Sequence, residues 1–354
     1  MEHTPKVAII VSHIPNAGSY HYSTKLFQNE SVQFIDSNQS LNSILKEIRL
    51  NHLDICNIQF EYRSFRTNLR SFLLLPILIK LISDKVKVVV TLHGLLVKRS
   101  MSSSPIGNLV YSIYKLSIKL SSLFGARFIV HSDEMFKVLN HNYGISTKTK
   151  IIPHGSEVSS ESFRNHHKRT ILFFGFIRPS KGIELLINAF QQLAEKFPEF
   201  RLVIAGSLAR EEEESYIEHL KNVISKSAAA KNIELKTGFL EISLRDKLVK
   251  ESFAIVLPYI DNYIEVSGVV HDLAHFGIPI VCTNIPRFSE LTDGINCLKV
   301  EPNPSSILDD LMKLIEDNSL YNKISEGLVK LSYEERWEIV KNSYFQFFKN
   351  LLCD

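Results

Sequence analysis

The chain contains 354 residues, of which 45% are hydrophobic and 22% charged, and its formal net charge is +3. This length exceeds that of one typical domain and the composition is ordinary for a globular protein, so two domains with separate cores are expected. The four cysteines include no Cys-x-x-Cys pair, which argues against a structural zinc site or a disulfide framework and favours a reducing compartment.

No segment of the sequence is predicted to span a membrane. Residues 7–11 read as a strand rather than as part of a signal peptide, and the most apolar run, residues 72–79, is interrupted by Pro76. A bilayer-spanning helix needs ~20 consecutive apolar residues. We therefore expect a soluble, cytoplasmic protein.

The charge is distributed unevenly along the chain. Residues 1–165 contain 19 Lys/Arg and 11 Asp/Glu, giving +8, whereas residues 166–354 contain 22 and 27, giving −5. A basic half suggests an anionic partner, such as a membrane surface or a phosphorylated substrate. Chance variation of the surface is the alternative interpretation.

Buried-strand patterns alternate with helical patterns through the first half of the chain. The predicted strands are 7–12, 33–36, 54–60, 87–92, 127–130 and 150–155, and the predicted helices are 41–50, 69–82 and 105–123. The second of these helices is expected to be kinked or interrupted at Pro76. Such alternation predicts a doubly wound parallel sheet.

The alternation restarts after a polar run at 156–168, which is the best candidate for a linker. The predicted strands are 170–174, 200–205, 233–236, 254–258, 280–283 and 298–300, and the predicted helices are 182–196, 211–228 and 244–250, with a further helix after Ser267. The aromatic tail, 333–352, is expected to form a helix that packs back on the rest of the chain. The predicted fold class is therefore α/β, with two doubly wound Rossmann-like domains, 1–165 and 166–332, and a C-terminal helical segment, 333–354, on the first domain.

Candidate ligand residues stand where predicted strands end, because open α/β sheets bind ligands at the carboxyl ends of their strands. Two such sheets facing each other would line one interdomain cleft. Arg178 and Lys181 follow a strand in a glycine-flanked loop, where two cations can hold a diphosphate and stabilise its charge as a leaving group. A solvated surface pair is the alternative.

Three further residues carry weaker signals of the same kind. His93 ends a nearly continuous β-branched strand, although a lone histidine is more often a packed or capping residue. The Glu265 carboxylate is expected to contact sugar or ribose hydroxyls rather than phosphate. Asp272, about two helical turns further on, is either a second hydroxyl contact or a charge that stabilises a helix N-terminus.

Five segments match one family pattern: Val89-Val-Thr-Leu-His-Gly94, Ile151-Ile-Pro-His-Gly155, Gly175-Phe-Ile-Arg-x-x-Lys-Gly182, Val203-Ile-Ala-Gly206 and Glu265-x-Ser-Gly-Val-x-x-x-x-Ala-x-x-Gly-Ile-Pro-Ile-Val281. Through them the chain resembles the retaining glycosyltransferases of family 4, which have the GT-B fold. The resemblance covers essentially the whole chain and is most specific from Gly175 to Val281.

The resemblance implies transfer of a sugar from a nucleotide-diphosphate donor to an acceptor hydroxyl, with retention at the anomeric carbon and without a metal or other cofactor. In that scheme Arg178 and Lys181 bind the diphosphate, and Glu265 and His93 contact the transferred sugar. The partners would be the nucleotide sugar and a glycan or lipid-linked acceptor, and no nucleic acid. Independently of the resemblance, the basic first half, with Lys115 and Lys119 on an amphipathic helix, suggests peripheral membrane association. Synthesis of a cell-surface glycan, polysaccharide or glycolipid would be the biological setting.

The predicted site residues fall into three groups. They are His93, Arg178, Lys181 and Glu265 for catalysis; Gly175, Gly206, Phe239, Leu240, Ser267, Gly268, Val269 and Asp272 for donor binding; and Gly18, Ser19, Glu61 and His131 for the acceptor or phosphate loop.

The sequence departs from the family pattern in three places. Asp272 stands in place of a second glutamate, one residue closer to Glu265 than usual, and the N-terminal glycine-rich loop is reduced to Asn16-Ala-Gly-Ser19. The turn after Glu265 reads Val-Ser-Gly-Val where Gly-Phe-Gly-Leu is commoner.

Two alternatives remain open. One is a nucleotide-sugar epimerase or a phosphorolytic enzyme with the same architecture, and the other is an inactive binding subunit. A dehydrogenase is disfavoured because no Gly-x-Gly-x-x-Gly follows a predicted strand.

Overall fold

The computed structural model describes residues 5–13, 18–28, 30–62, 64, 67–98, 105–159, 161, 163–208, 214–238 and 240–353. The chain forms two compact units. The first unit comprises Met1–Gly155, Asn262–Val266 and Glu335–Asp354, and the second comprises Ser156–Asp261 and Ser267–Glu334. None of the described helices is long and apolar enough to cross a membrane.

The first unit is built on a parallel sheet with the strand order β2-β1-β3-β4-β6-β7. Its elements up to residue 155 are β1 (Val7–Val11), α1 (Gly18–Leu26), β2 (Val32–Asp36), α2 (Leu41–Leu50), β3 (Ile55–Phe60), α3 (Asn68–Ile82), β4 (Lys87–Leu92), β5 (Gly94–Leu95), α4 (Pro105–Leu123), β6 (Arg127–Val130), α5 (Asp133–Tyr143) and β7 (Thr149–Ile151). The sheet reverses its winding direction between β1 and β3, which makes that boundary its topological switch point.

The second unit is built on another parallel sheet, with the order β10-β9-β8-β11-β13-β14 and a switch point between β8 and β11. The remaining elements in chain order are β8 (Thr170–Phe174), α6 (Ile183–Lys196), β9 (Arg201–Gly206), α7 (Glu214–Lys226), β10 (Ile233–Thr237), α8 (Ile242–Lys250), β11 (Ala254–Leu257), β12 (Ile264–Glu265), α9 (Gly268–Leu273), β13 (Ile280–Thr283), β14 (Leu298–Val300), α10 (Pro304–Glu316), α11 (Asn318–Glu334) and α12 (Trp337–Cys353). The prediction of two doubly wound Rossmann-like units is confirmed. Strand β12 and helix α12 return to the first unit.

The first sheet is covered on both faces by helices of its own unit. Because crossovers between parallel strands are right-handed, the connection from β1 to β2 puts α1 on one face, and those from β3 to β4 and from β4 to β6 put α3 and α4 on the other. The two cores reflect this arrangement. Tyr22 and Leu26 of α1 share one core with Tyr344 and Phe348 of α12. Helices α2 to α5 supply the other core.

Four details differ from the sequence predictions. Helix α3 is continuous through Pro76, which lies inside it. The short strands β5 and β12 pair with each other in an antiparallel arrangement that no pattern indicated. Helices α1, α5, α10 and α11 were not predicted. The tail helix begins at Trp337.

The polar run at 156–168 lies in the second unit rather than outside it. Arg164 pairs with Glu326 of α11 at 2.7 Å, and the Asn165 backbone N–H donates to the Tyr321 hydroxyl at 3.3 Å. Polar contacts of this kind hold the segment against α11 although its sequence has no apolar periodicity. The chain therefore passes from the first unit to the second at Gly155 and Ser156.

Candidate active site

Charged and aromatic side chains follow both strands that flank the switch point of the second sheet. Arg178 and Lys181 come after β8, and Tyr259 and Asp261 come after β11. Gly182 has a φ of 62° and lies against the Pro258 carbonyl, where a Cβ atom would be 2.0 Å from that oxygen. Only glycine fits there, so the loop after β8 is held close to the loop after β11.

The ammonium group of Lys181 lies over the ring of Tyr259, with its Nζ atom 3.4 Å from the ring centre. The Lys181 side chain is buried. A desolvated cation–π contact of this kind stabilises the charged amine by about 2 kcal/mol. Burial raises the pKa of the Tyr259 hydroxyl to about 12, so the ring beneath the ammonium group stays neutral at physiological pH. The contact holds a cation at the sheet edge.

Asp261 links two arginines. Arg287 donates from Nη2 to both carboxylate oxygens of Asp261, at 2.9 and 3.0 Å, and both side chains are buried. The Nη2 atom of Arg178 lies 4.0 Å from Asp261 Oδ2. The Arg178 Nε atom is buried and has no hydrogen-bond partner among the described residues. The cluster thus combines three cations, Lys181 included, with one carboxylate, and it retains a guanidinium donor for an anion.

The carboxyl ends of strands β8 and β9 are in close backbone contact at Gly175 and Gly206. A Cβ atom on Gly206 would lie 1.7 Å from the Gly175 carbonyl oxygen. Gly175 itself has a φ of 140°, a conformation that other residues rarely adopt. Gly175 and Gly206 are therefore required by the conformation of the backbone, whether or not they contact a ligand.

The predicted glycine turn begins helix α9 beside the same sheet edge. Ser267 occupies the N-cap position and Gly268 is the first helical residue. The Val269 side chain reaches 3.6 Å from the position that a Cβ atom on Gly175 would take. Asp272 lies near the end of this short helix. These residues adjoin the loop that carries Arg178 and Lys181.

Glu265 lies in strand β12 of the first unit, so the helical spacing expected between Glu265 and Asp272 is wrong. Glu265 pairs with Gly94 in the β12–β5 ladder. A Cβ atom on Gly94 would lie 3.1 Å from Glu265 Oε2 and 2.9 Å from the Tyr62 hydroxyl. The glycine after His93 therefore makes room for this carboxylate. The sequence pattern did not indicate the pairing of β12 with β5, because each of these strands contains only two residues.

A second carboxylate lies at the switch point of the first sheet. Oε1 of Glu61, after β3, accepts a 3.0 Å hydrogen bond from the Ser19 backbone N–H at the start of α1. Burial raises the pKa of Glu61, and the neighbouring Glu265 raises it further, while the hydrogen bonds from Ser19 oppose the shift. Helix α1 thus directs an N-terminal N–H at a carboxylate of its own chain. An acceptor phosphate at Ser19 would have to replace that bond.

His93 is oriented by Gln59. The Gln59 amide donates to Asn57 at 2.5 Å, and its Oε1 atom lies 2.8 Å from His93 Nε2. The proton of a neutral His93 ring therefore lies on Nε2. Burial, and secondarily the charge of His131, lowers the pKa of His93 well below its usual range. The structure presents a neutral imidazole at this strand exit.

Tyr22 of α1 is the centre of an aromatic cluster at the same edge. Its ring centroid lies 5.0 Å from that of His93, 5.2 Å from that of His131 and 4.8 Å from that of His154. Trp337 of α12 lies 5.4 Å away. His131 donates from Nδ1 to the Ile152 carbonyl, 3.0 Å away, and is buried. The cluster fixes the side chains around His93.

The predicted residues thus divide between the two units. Arg178, Lys181, Gly175, Gly206 and the start of α9 are together in the second unit. The first unit contains Gly18, Ser19, Glu61, His93, His131 and Glu265. Leu240 is partly buried against the second core, and Phe239 lies outside the described residues. Gly18 begins α1 and has open space around its Cα, since no heavy atom lies within 4 Å of an added Cβ.

Sequence reasoning missed Tyr259, Asp261 and Arg287. The first two are two and four residues after Leu257, the end of β11, so the rule of strand ends that selected Arg178 also applied to them. Arg287 lies in the turn after β13 and gave no local signal, because its role comes from the pairing with Asp261 across the sheet edge. Among the described residues no group of three or more His, Cys, Asp and Glu is arranged to hold a metal ion.

The family model described as "Glycosyl transferases group 1" matches residues 135–328 of the chain. An "Uncharacterized glycosyltransferase" of Haemophilus influenzae is 30% identical over 199 residues, which are 54% of this chain and 50% of that protein. A 2-deoxystreptamine N-acetyl-D-glucosaminyltransferase of Niallia circulans is 26% identical over 156 residues, 43% of this chain and 38% of that protein. The chain thus spans half or less of the length of these curated relatives.

Solved structures match over nearly the whole chain at low identity. A glycosyltransferase from Rickettsia africae has a TM-score of 0.77 at 14% identity and covers 99% of each chain. HepE from Anabaena, solved in complex with UDP-glucose, has a TM-score of 0.76 at 15% identity, covering 98% of this chain and 100% of that one. These matches establish the GT-B architecture, with its two Rossmann-like domains.

Proposed function

The chain belongs to the glycosyl transferases group 1 family, and from that premise we propose that it is a retaining glycosyltransferase of family 4. It moves a sugar from a nucleotide-diphosphate donor to an acceptor hydroxyl. The donor is a uridine-diphosphate sugar, an inference supported by the UDP-glucose complex of the Anabaena structure. No metal is required for the transfer.

The observation that carries this proposal is the cation cluster at the switch point of the second sheet. Lys181 is held over Tyr259, and Arg178 keeps a buried Nε donor that no described residue uses. A diphosphate is the ligand that fits two adjacent cations at the carboxyl edge of a Rossmann-like sheet. The Tyr259 ring orients Lys181 and the Asp261 carboxylate orients Arg178, so the protein itself positions both cations for a diphosphate.

In the proposed reaction the bond between the anomeric carbon and the β-phosphate oxygen breaks as the acceptor oxygen forms its bond from the same face of the sugar. The acceptor hydroxyl gives its proton to the departing phosphate oxygen. Negative charge grows on the diphosphate during this step, and Arg178 and Lys181 stabilise it. The backbone at Ser267, Gly268 and Val269 adjoins these cations and would hold the donor.

The remaining residues have supporting roles in the proposal. Glu265 contacts hydroxyls of the transferred sugar, and neutral His93 contacts the sugar near its reacting carbon. Asp272 is proposed as a further hydroxyl contact, and Leu240 as a neighbour of the nucleobase. Gly18, Ser19, Glu61 and His131 form the acceptor side.

The test replaces each cation without disturbing the packing. Lys181→Met keeps an apolar chain over Tyr259, and Arg178→Gln keeps a donor without the charge. We expect the turnover of a UDP-sugar to fall by about 10²–10³-fold in each variant, because one stabilising group for the leaving charge is removed. Lys196→Met and Arg201→Gln alter exposed residues of the same unit and serve as controls.

Transfer and donor hydrolysis are measured with a panel of acceptors, and circular dichroism verifies that each variant is folded. Wild-type transfer by either cation variant would contradict the assignment. Conversion of the donor to another sugar without an acceptor would indicate an epimerase. Donor binding without turnover of any acceptor would indicate a binding subunit.

A further inference from the structure

Helix α3 exposes a stripe of large apolar side chains. Leu69, Leu73, Ile77 and Leu81 are spaced four residues apart and are 45–54% exposed. At about 100° per residue they cover one face of the helix, roughly opposite the face that packs on the sheet. A helix of a globular protein ordinarily carries polar residues on that outer face. The outward surface of α3 is therefore apolar.

Helix α4 exposes a second stripe. Ile106, Leu109, Leu116 and Leu123 recur at three- and seven-residue intervals and are 56–75% exposed. Tyr114 and Ile118, on the opposite side of the helix, are fully buried. Like α3, α4 is apolar on both its inner and its outer face.

The two stripes belong to one surface. Both helices cover the same face of the first sheet, above strands that are next to one another in its order. They also pack directly against each other, with the Phe72 and Tyr114 ring centroids 5.1 Å apart. Their outer sides form a contiguous apolar surface, which we call the α3–α4 face. Exposed apolar patches of this kind mark interaction sites.

The charges on these two helices are all of one sign. Arg70 and Lys80 of α3 and Lys115 and Lys119 of α4 are basic, and neither helix contains an aspartate or a glutamate. Arg70 and Lys80 lie within the angular range of the α3 stripe, whereas the two lysines of α4 flank its stripe on one side. Apolar side chains whose only charged neighbours on the same helices are cations are complementary to anionic lipid headgroups above an acyl layer.

We propose that the α3–α4 face docks on the surface of a membrane that contains anionic phospholipid. The leucines and isoleucines enter the headgroup boundary, and the four cations remain at the level of the phosphates. A second copy of this chain fits less well, because a symmetric contact would bring like charges together with no acid on either helix to balance them. The proposal is independent of the donor chemistry.

The apolar part is tested by cosedimentation of the whole protein with vesicles of phosphatidylcholine alone and of phosphatidylcholine with phosphatidylglycerol. We expect the wild type to bind the anionic vesicles. Leu73→Gln/Ile77→Gln should lower that partition about tenfold or more, because two apolar side chains no longer leave water. Ile242→Gln/Leu244→Gln, at exposed positions of helix α8 in the second unit, should leave the partition unchanged.

The charge part is tested with Lys115→Gln/Lys119→Gln. At about 1 kcal/mol for each basic residue near an anionic surface, the partition should fall roughly thirtyfold and become less sensitive to salt. Lys226→Gln/Lys231→Gln removes two exposed lysines of the second unit and should have little effect. Binding to neutral vesicles should change little in either lysine variant.

The proposal is overturned if the wild type does not sediment with anionic vesicles, or if it binds neutral and anionic vesicles equally. It is also overturned if sedimentation velocity shows a dimer that Leu73→Gln/Ile77→Gln dissociates, which would make the α3–α4 face a self-association surface. Donor hydrolysis and transfer to a water-soluble acceptor should be unchanged in all four variants. Loss of transfer with intact vesicle binding, in contrast, would bear on the proposed function alone.

Discussion

The neutral imidazole of His93 gives the first unit a stability that depends on pH. The pKa of His93 in the folded chain is well below that of an ordinary imidazole, ~6.5. Below that pH the unfolded chain binds a proton that the folded chain does not, so folding stability falls as the pH falls. Above pH ~6.5 both states are neutral and the contribution is constant.

Replacing His93 should therefore reduce the acid sensitivity of the first unit. We expect His93→Gln to decrease the slope of the unfolding free energy below pH ~6.5 by up to about 1.4 kcal/mol per pH unit. Urea unfolding at pH 7.5, 6.5 and 5.5, followed by the fluorescence of Trp337, measures this slope, since Trp337 is the single tryptophan and belongs to the first unit. His21→Gln, exposed on α1, is the control. Parallel pH profiles for wild type and His93→Gln would contradict the prediction.

At the scale of one element, helix α12 should be essential to the first unit. Phe348 is fully buried, whereas Leu352 on the same helix is 37% exposed. We expect Phe348→Ala to lower the unfolding free energy of the first unit by about 3–5 kcal/mol, because it leaves a cavity beside α1 and the sheet. Leu352→Ala should cost less than about 1 kcal/mol. Denaturant midpoints for the two variants test this, and comparable losses would show that α12 packs only weakly.

The strands were the easiest elements to predict from the sequence, for a physical reason. A central parallel strand is buried on both faces and appears as an uninterrupted apolar run, as in β1. Two of the helices that were missed begin at a side-chain cap. Ser132 accepts from the Met135 N–H at the start of α5, and Asn303 accepts from the Ser306 N–H before Pro304 at the start of α10. Such signals occupy one or two positions and are overlooked when only periodicity is read.

The candidate site was predictable only where a single loop contains it. Arg178 and Lys181 are three residues apart, so their common loop could be recognised. The bidentate pair of Asp261 and Arg287 joins loops after two different strands, which no local pattern reveals. Gln59, which orients His93, comes from the strand next to that of His93 in the sheet. Side chains brought together by the sheet order become visible only when that order is known.

At the scale of the whole molecule, the two units share one sheet architecture. Each unit has a parallel sheet with one switch point, where charged side chains follow both strands in the second unit and Glu61 follows β3 in the first. The second unit gathers cations there, around Tyr259 and Asp261. The first unit has a carboxylate there, Glu61, and the neutral His93 at the end of the neighbouring strand. The proposed division of labour, diphosphate on the second unit and acceptor on the first, follows this difference in charge.

The two units should also respond separately to a ligand. Each has its own hydrophobic core, with the second core in one cluster and the first in two. We expect thermal unfolding in two steps, of which the fluorescence of Trp337 reports the first unit.

Uridine diphosphate at about 100 times its dissociation constant should stabilise the second unit by about 2.7 kcal/mol, which raises its midpoint by roughly 5–10 °C. Differential scanning calorimetry with and without the nucleotide resolves both steps. The Arg178→Gln variant should lose most of the shift, because the guanidinium that binds the diphosphate is absent. A fluorescence midpoint that moves together with the calorimetric one would show instead that the two units unfold as one.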